Sequence, residues 1–231
     1  MQLNLKTVIG HKLSATDGDI GHVDDCYFDD NTWAVCYMVV NTGTWRKERK
    51  VLLLPQSFRR SAETGQILTV DLTRDQIGHS PSVNQHRPVS GQRVAEYYRN
   101  NGWPARWQGQ RLWGTTDPPF VASRVPSDRA DAGGIEEASD ANLHSTQTVT
   151  GYQIEATDGV IGTVSGFVLD DQTWSVDRVL VAAGHWYAGR EISLPPGRVE
   201  RIIYLESKVC VRLTKDELRH TGDHAFAPDE G

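Results

Sequence analysis

The residues best suited to chemistry stand together in SATDGDIGHVDD, at positions 14–25. Asp17, Asp19 and Asp24 surround His22, and carboxylate and imidazole groups are ligands that a divalent cation accepts. The spacing does not match the EF-hand calcium loop, which needs further Asp or Asn residues and a later Glu. Two hypotheses remain for this stretch: a metal-binding sensor or enzyme, and a turn between two strands.

The chain contains two copies of one sequence, and their comparison tests these hypotheses. Thr7–His79 aligns without a gap to Thr148–His220, with ATDGDIG over ATDGVIG and DDNTWAV over DDQTWSV. A residue that the shared fold requires should occur in both copies, whereas a ligand of one site need not.

The comparison favours the turn. The retained positions are those of a structural turn: Asp17, Gly18 and Gly21 in copy one, and Asp158, Gly159 and Gly162 in copy two. The other metal candidates are replaced, with Val160, Thr163 and Ser165 in place of Asp19, His22 and Asp24, and Gly166 stands in place of Asp25. We therefore expect the acidic cluster of copy one to lie on the solvated surface. Asp-Gly between strand-like residues is a strong hairpin signal. We therefore expect no metal and no other cofactor, and Asp17, Asp19, His22 and Asp24 remain the only metal candidates.

The repeat predicts an all-β fold, because turn signals separate short β-branched and aromatic runs. In copy one the strands are expected at Thr7–Ser14, Ile20–Phe28, Ala34–Asn41, Lys50–Leu54 and Gln66–Asp71. In copy two they are expected at Thr148–Glu155, Val160–Leu169, Ser175–Ala182, Arg190–Leu194 and Lys208–Arg212. Each copy ends in a short helix, with Thr73 and Thr214 as N-caps. Five or six strands per copy fit a small closed barrel, which leaves no exposed edge.

The sequence divides into five segments. They are barrel one at 1–80, an aromatic helix–loop connector at 81–115, a flexible linker at 116–146, barrel two at 147–221 and a tail at 222–231. The linker is predicted from its Pro, Gly, Ala, Ser and Asp content.

The motif DDxTW occurs in both copies. Its acidic pair predicts a second hairpin turn with Asx bonding. Its tryptophans, Trp33 and Trp174, either cover the end of a barrel or anchor a partner.

Two groups of residues are candidates for an interaction surface. The first is the hairpin TWRKERK, with Trp45, Arg46, Lys47, Arg49 and Lys50; Trp186 lies in its nearly neutral counterpart. As an alternative to a solvated turn, this basic run would meet an acidic partner or anionic lipid headgroups. The second is the aromatic connector, with Tyr97, Tyr98, Trp103, Trp107 and Trp113, which either docks a partner or packs on its own barrel.

Composition and motifs exclude several function classes. The net charge of −6 argues against nucleic acid as a partner. No apolar run reaches the length of a membrane span, and the N-terminus lacks a signal-peptide pattern, so a cytoplasmic location is expected. Three cysteines without a CxxC pair fit buried thiols. Without any nucleophile-elbow, P-loop or HExxH motif, no enzymatic activity and no catalytic residue are predicted.

The residues ATDGDIGHVDDCYFDDNTWAVCYMVVNTGTW, followed by VLLLP, resemble the PRC-barrel domain, and VTGYQIEATDGVIGTVSGFVLDDQTWSV with LTKDEL is similar to the same family. This domain occurs in the cytoplasmic part of the photosynthetic reaction-centre H subunit and in the C-terminal domain of the ribosome maturation factor RimM. The tandem layout looks like bacterial two-barrel proteins. The resemblance implies a role in binding and assembly.

The expected function is a non-catalytic protein-interaction or scaffold module with protein partners, built from two PRC-type barrels. A homodimer, or packing of the two copies about a pseudo-twofold axis, is compatible with the repeat. The alternatives are a membrane-peripheral adaptor that uses the basic hairpin, and a metal-binding sensor or enzyme that uses the Asp17–Asp25 cluster.

Overall fold

Strands predominate in the computed structural model, which describes residues 2–43, 49–60, 67–80, 82–83, 143–184 and 189–218. The strands form two mixed sheets and the helices are few and short. The all-β class expected from the turn pattern is thereby confirmed. Within these ranges neither sheet closes on itself, so the two closed barrels stay a prediction.

Sheet I consists mainly of strands from the second copy. Its strands are β1 (Gln2–Asn4), β9 (Gln153–Ala156), β10 (Gly159–Asp170), β11 (Ser175–Ala183), β12 (Glu191–Leu194), β13 (Val199–Ile203) and β14 (Lys208–Val211). They follow the order β12-β11-β10-β9-β14-β13, and β1 pairs with β10 as well. Only the pairing of β14 with β9 is parallel among those described in this sheet.

Sheet II consists mainly of strands from the first copy. Its strands are β2 (Lys12–Ala15), β3 (Gly18–Asp29), β4 (Val35–Asn41), β5 (Lys50–Leu53), β6 (Phe58–Arg60), β7 (Ile67–Val70) and β8 (Leu143–Ser145). The order is β5-β4-β3-β2-β7-β6, β8 pairs with β3, and β2 and β7 are parallel. The order is therefore the same in the two sheets, as the sequence repeat requires.

The short strand that precedes each aligned copy pairs with a strand of the other copy. β1 precedes the first copy but pairs with β10, and β8 precedes the second copy but pairs with β3. A short helix follows each of these strands: α1 (Leu5–Val8) follows β1, and α3 (Thr146–Val149) follows β8. The exchange of first segments is thus reciprocal.

The remaining helical elements are short. α2 (Arg74–His79) follows β7, and α4 spans residues 215–218 after β14. Thr73 forms a capping box with Gln76 at the start of α2, and Thr214 with Glu217 forms the same pair of bonds before α4. Both N-caps coincide with the predicted threonines. Among the described residues, 3-10 turns lie at Pro55–Ser57, Pro196–Arg198 and Tyr204–Glu206 as well.

The chain folds into two compact units, and unit A draws on both copies of the repeat. Unit A contains Met1–Ile9, Asp25–Val35 and His144–Gly231, and unit B contains Gly10–Asp24 and Cys36–Leu143. The core of unit A includes Leu5, Phe28, Ile154, Ile161, Phe167 and Leu169, with the two phenylalanine rings 5.4 Å apart. The core of unit B includes Leu13, Ile20, Met38, Leu52, Leu53 and Ile77. The segment bounds predicted from the sequence follow the repeat instead, and they stay a prediction.

The strands predicted for Thr7–Ser14 and Thr148–Glu155 were too long at their starts. A helical turn occupies the first part of each range because a polar side chain caps it. The side chain of Asn4 accepts a hydrogen bond from the Lys6 backbone N–H at 3.0 Å, and Ser145 Oγ accepts one from the Thr148 N–H at 3.1 Å. Asn and Ser are favourable N-caps, and here the caps override the β-branched residues that follow.

Two glycines allow β3 and β10 to pass very close to the next strand. Gly21 and Gly162 have φ values of +123° and +159°, and a Cβ atom at these positions would lie 1.9 Å from the Asn41 carbonyl oxygen and 2.1 Å from that of Ala182. The strand register shifts at both glycines. In the β2–β3 pair the shift lies between Leu13, which is opposite Gly21, and Ser14, and in the β9–β10 pair it lies between Val160 and Gly162. Only glycine fits such a bulge.

Replacing Gly21 with Ala should therefore lower the free energy of unfolding by about 3 kcal/mol or more, because the new methyl group meets a backbone carbonyl that cannot rotate away. Gly43→Ala is the matched control, since Gly43 also has positive φ (+58°) but nothing within 4 Å of the new Cβ. The control should lose only about 1 kcal/mol. Urea unfolding measures both, and equal losses would contradict the steric explanation.

Candidate functional site

The acidic cluster at the first turn does not converge on one point. Asp19 accepts a hydrogen bond from Ser14 Oγ at 2.8 Å, and Asp24 Oδ2 lies 2.7 Å from the Lys50 ammonium. His22 is half-buried on β3, opposite Lys12. In the part of the chain that the structure describes, no group of three or more His, Cys, Asp or Glu residues could hold a metal ion. The structure therefore offers this cluster no geometric support as a cation site.

Asp17 connects the turn to a helix that is distant in sequence. Ala15 pairs with Gly18 across the turn, and Asp17 Oδ1 accepts the Arg74 backbone N–H at 2.7 Å, at the start of α2. Asp158 accepts the Lys215 N–H at 3.1 Å in the same way. A carboxylate at this place accepts an N–H that has no acceptor within the helix. Its negative charge is also stabilised by the positive end of the helix dipole. Asp17 thus connects its turn to α2, and Asp158 connects the equivalent turn to α4.

The turn after β3 is built around Asp29. Its Oδ1 accepts hydrogen bonds from the Asn31 and Thr32 N–H groups and from the Thr32 hydroxyl, at 2.8–3.1 Å. Asp170 bonds to the Gln172 and Thr173 N–H groups in the same manner. This is the Asx bonding that DDxTW predicts.

The tryptophans of the two DDxTW turns take the left-handed conformation, with φ of +59° at Trp33 and +51° at Trp174. Their carbonyl groups accept hydrogen bonds from Val176 and Val35 respectively, at 2.7 and 2.8 Å. Trp33 also stacks on Phe28 at 5.4 Å, and Trp174 is buried. The backbone of each tryptophan therefore bonds to the start of a strand of the other copy, Val35 of β4 or Val176 of β11, inside unit A. These contacts support a structural role for both residues.

A buried polar cluster in unit A is the candidate functional site. Its centre is Asp25, which is only 6% exposed and which the sequence suggested to be a solvated residue. Asp25 accepts hydrogen bonds from the hydroxyls of Ser145 (2.5 Å) and Thr146 (2.9 Å) and from the backbone N–H groups of Gln147 (3.1 Å) and Cys26 (2.7 Å). One carboxylate thereby ties β3 to the start of α3.

His144 extends the cluster. Its side chain is about 6% exposed, and Nε2 lies 2.9 Å from Oδ2 of Asp30, an ion-pair distance without the angle of a hydrogen bond. Among the described residues, His144 Nδ1 and Asp30 Oδ1 are buried polar atoms without a hydrogen-bond partner. Buried polar atoms are usually paired, so His144 and Asp30 form an unusually polar part of the unit A interior.

Tyrosines close the cluster on the side of β13 and β14. The ring of Tyr204 stacks on His144 with centroids 4.6 Å apart, and Tyr152 meets Tyr204 edge-on at 5.9 Å. Burial raises the pKa of Tyr204 to about 12, with a further contribution from Tyr152, while a backbone hydrogen bond with Ser145 acts in the opposite direction. The phenol is therefore neutral over the physiological range.

The same tyrosine begins an exposed apolar surface. Tyr204 is 40% exposed and Leu205 is 100% exposed, in the 3-10 turn between β13 and β14. Ser207 ends this turn in the left-handed conformation, with φ of +51°. We call these two side chains the Tyr204–Leu205 tip. Sequence reasoning missed it, although YLES between two strands contains two large apolar residues where a hairpin turn is usually polar.

The basic hairpin is only partly described. Arg49 donates to the carbonyl groups of Gly78 and Ser80 at 2.9 and 3.0 Å, at the end of α2. Lys50 pairs with Asp24. Both cations therefore make contacts inside unit B. Most of the interaction candidates lie outside the described residues: Trp45, Arg46, Lys47, Tyr97, Tyr98, Trp103, Trp107, Trp113 and Trp186.

The titration of Asp25 should make folding stability depend on pH. Burial raises the pKa of this carboxyl above the ordinary value of 3.8, against the opposing effect of its hydrogen-bond donors Ser145, Cys26, Gln147 and Thr146. Above about pH 4 the unfolded chain therefore releases a proton that the folded chain keeps. Stability from this group is largest below the unfolded pKa and is lost as the pH rises through the folded pKa.

Asp25→Asn removes this titration, so the difference in unfolding free energy, variant minus wild type, should rise between pH 4 and pH 7. Urea unfolding at both pH values measures it. Asp19→Asn is the control, because Asp19 is an exposed carboxylate on the same strand. If the Asp25→Asn difference stays constant with pH, Asp25 does not titrate as described.

Comparisons with known proteins identify no family for the chain. A scan against protein-family models matched none of them, and a search of curated proteins gave no match. In the described ranges, no helix combines the length and the apolar character needed to cross a membrane. The likeness to the PRC-barrel domain therefore depends on the sequence motifs, and the geometry of unit A is the main guide to function.

Proposed function

We propose that this chain is a non-catalytic protein-interaction module of the PRC-barrel type, and that it docks a protein partner through the Tyr204–Leu205 tip. The observation that carries the proposal is a fully exposed leucine in an ordered turn. A single exposed apolar residue is common on protein surfaces. Here, however, Leu205 follows a tyrosine whose ring is held by His144 and Tyr152.

The tip has the properties of an interface anchor. Tyrosine is enriched among residues that dominate binding energy, and apolar neighbours exclude water around it. Because Tyr204 is already packed on one face, its side chain loses little freedom when a partner covers the other face. A partner with an apolar groove of one or two side chains would fit this tip.

The charged residues support a binding role rather than catalysis. Asp17, Asp25 and Asp158 each accept backbone N–H groups at helix starts, and Asp29 and Asp170 hold turns. A general acid or base must reach a substrate proton. These carboxylates instead satisfy the chain's own donors.

Leu205→Asp tests the proposal in affinity purification from the native organism, followed by quantitative mass spectrometry. The variant should reduce recovery of the specific partner at least about tenfold, because losing a central anchor costs roughly 2 kcal/mol or more. Val160→Asp is the matched control: Val160 is another exposed apolar residue (44%), and copy one carries Asp19 at the same position. The control should recover the partner like wild type.

Two results would contradict the proposal. If Leu205→Asp recovers the same proteins in the same amounts as Val160→Asp, the tip is not the docking surface. If neither wild type nor the control enriches any protein over an unrelated bait, the interaction role itself is wrong.

The membrane-peripheral adaptor is a second candidate, and the contacts in unit B weaken it. Of the four cations assigned to the basic hairpin, Arg49 and Lys50 make internal contacts. Sedimentation with vesicles containing anionic lipid tests this candidate. Binding that falls with added salt and with Arg46→Glu and Lys47→Glu would favour it over a protein partner.

A further inference from the structure

The segment at residues 2–9 behaves as a ligand of sheet I. Its strand β1 pairs antiparallel with the end of β10, with Gln2 opposite Asp170, Leu3 opposite Leu169 and Asn4 opposite Val168. Leu3, Leu5 and Val8 are buried to 6%, 2% and 4% exposure. We call residues 2–9 the first donor segment, and residues 143–149 of the second copy the second donor segment.

Polar contacts fix the first donor segment on sheet I. Gln2 Nε2 donates to Asp177 Oδ2 at 2.9 Å. The Lys6 ammonium pairs with Glu191 and lies 3.2 Å from Ser165 Oγ. Main-chain pairing supplies affinity in strand addition, while side-chain contacts of this kind supply specificity.

The two acceptor strands differ at one position that selects the donor. At Gly166 on β10, a Cβ atom would lie 2.8 Å from Cε of Lys6, so the missing side chain leaves room for the Lys6 stem. The equivalent position on β3 is Asp25, whose carboxylate instead receives the hydroxyls of Ser145 and Thr146. The two acceptors therefore accommodate different donors.

The wrong pairing would be unfavourable on both strands. The first donor segment carries Asn4 and Leu5 where the second carries Ser145 and Thr146. On β3, Asn4 and Leu5 would leave the buried Asp25 carboxylate without its two hydroxyl donors, which disfavours this pairing. On β10, the hydroxyls of the second donor would find no carboxylate at position 166. The substitutions between the copies thus favour docking of the first donor segment on β10 and of the second donor segment on β3.

The first donor segment is joined to the following residues by a glycine. Met1–Ile9 belong to unit A, and the chain continues into unit B at Gly10. Gly10 has φ of +86°, and its N–H donates to the Val23 carbonyl of unit B at 2.8 Å; glycine readily changes between conformations. The donor is therefore a short, separately docked piece, which is the arrangement that permits exchange between copies of a protein.

We propose that the edge of β10 at Val168–Asp170 accepts the first donor segment irrespective of which chain supplies it, and that a second copy of this chain is the partner that supplies it in a dimer. Two copies then associate by exchanging residues 2–9. The inference is independent of the Tyr204–Leu205 tip, because the donor and the tip share no residue.

Complementation between two full-length variants tests the exchange. One variant, Leu3→Asp with Leu5→Asp, has a disabled donor and an open acceptor. The other, Gly166→Leu, has a blocked acceptor and a free donor. Each alone should be monomeric, whereas an equimolar mixture refolded from urea should give a one-to-one dimer in native mass spectrometry.

The control mixes the disabled donor with a chain that carries all three substitutions, which offers neither donor nor acceptor. That mixture should contain no dimer. If the complementing pair gives no more dimer than this control, the acceptor does not take a donor from another chain and the proposal is overturned.

A second measurement uses nearly native chains, in case the substitutions prevent folding. Gln2→Cys on one chain and Asp170→Cys on another place sulfur atoms at paired positions, within the backbone separation that a disulfide spans. After co-refolding and oxidation, peptide mapping should find an interchain bond between positions 2 and 170. Gln2→Cys mixed with Glu200→Cys should not form the bond between positions 2 and 200, and absence of the 2–170 bond would also overturn the proposal.

Discussion

The length of β3 and β10 is the constraint on which the rest of the structure depends. Each strand has 12 residues, and its backbone groups need partners along both edges. β11 pairs with β10 from Gly162 to Asp170, but β9 reaches only from Gly159 to Thr163. The end of the other edge is completed by β1, a strand that the second copy does not itself provide. The exchanged first segments therefore follow from two long strands with short hairpin partners.

Local features of the fold could be predicted from the sequence, because their causes lie within a few residues. The Asx bonds of Asp29 and the cap at Thr73 involve neighbours at most three residues away. The two long strands also lie within two residues of their predicted bounds. By contrast, the strand predicted at Thr7–Ser14 begins too early, because the cap bond of Asn4 favours a helical turn at Leu5–Val8.

The candidate site could not be predicted, because its contacts join distant parts of the chain. Asp25 occupies a position of β3 that an acidic sequence context assigns to the surface. Its donors Ser145 and Thr146 come from the second copy, in a stretch whose sequence predicted a linker up to residue 146. Comparison of the copies did identify the difference between Asp25 and Gly166. It did not predict that Asp25 contacts the second donor segment and that Gly166 contacts the first. Tertiary hydrogen bonding, rather than propensity, places this carboxylate in the interior.

The buried cluster and the exposed tip are parts of one structure, since Tyr204 belongs to both. Its ring covers His144 inside unit A, and its exposed face stands beside Leu205. The equivalent positions of the first copy are Glu63 and Thr64, so the apolar tip is specific to the second copy. The stack on His144 and the edge-on contact with Tyr152 hold the ring of Tyr204 beside Leu205. A tip fixed in this way has its binding conformation before a partner arrives. The conformational entropy of its side chains is therefore lost during folding rather than during binding.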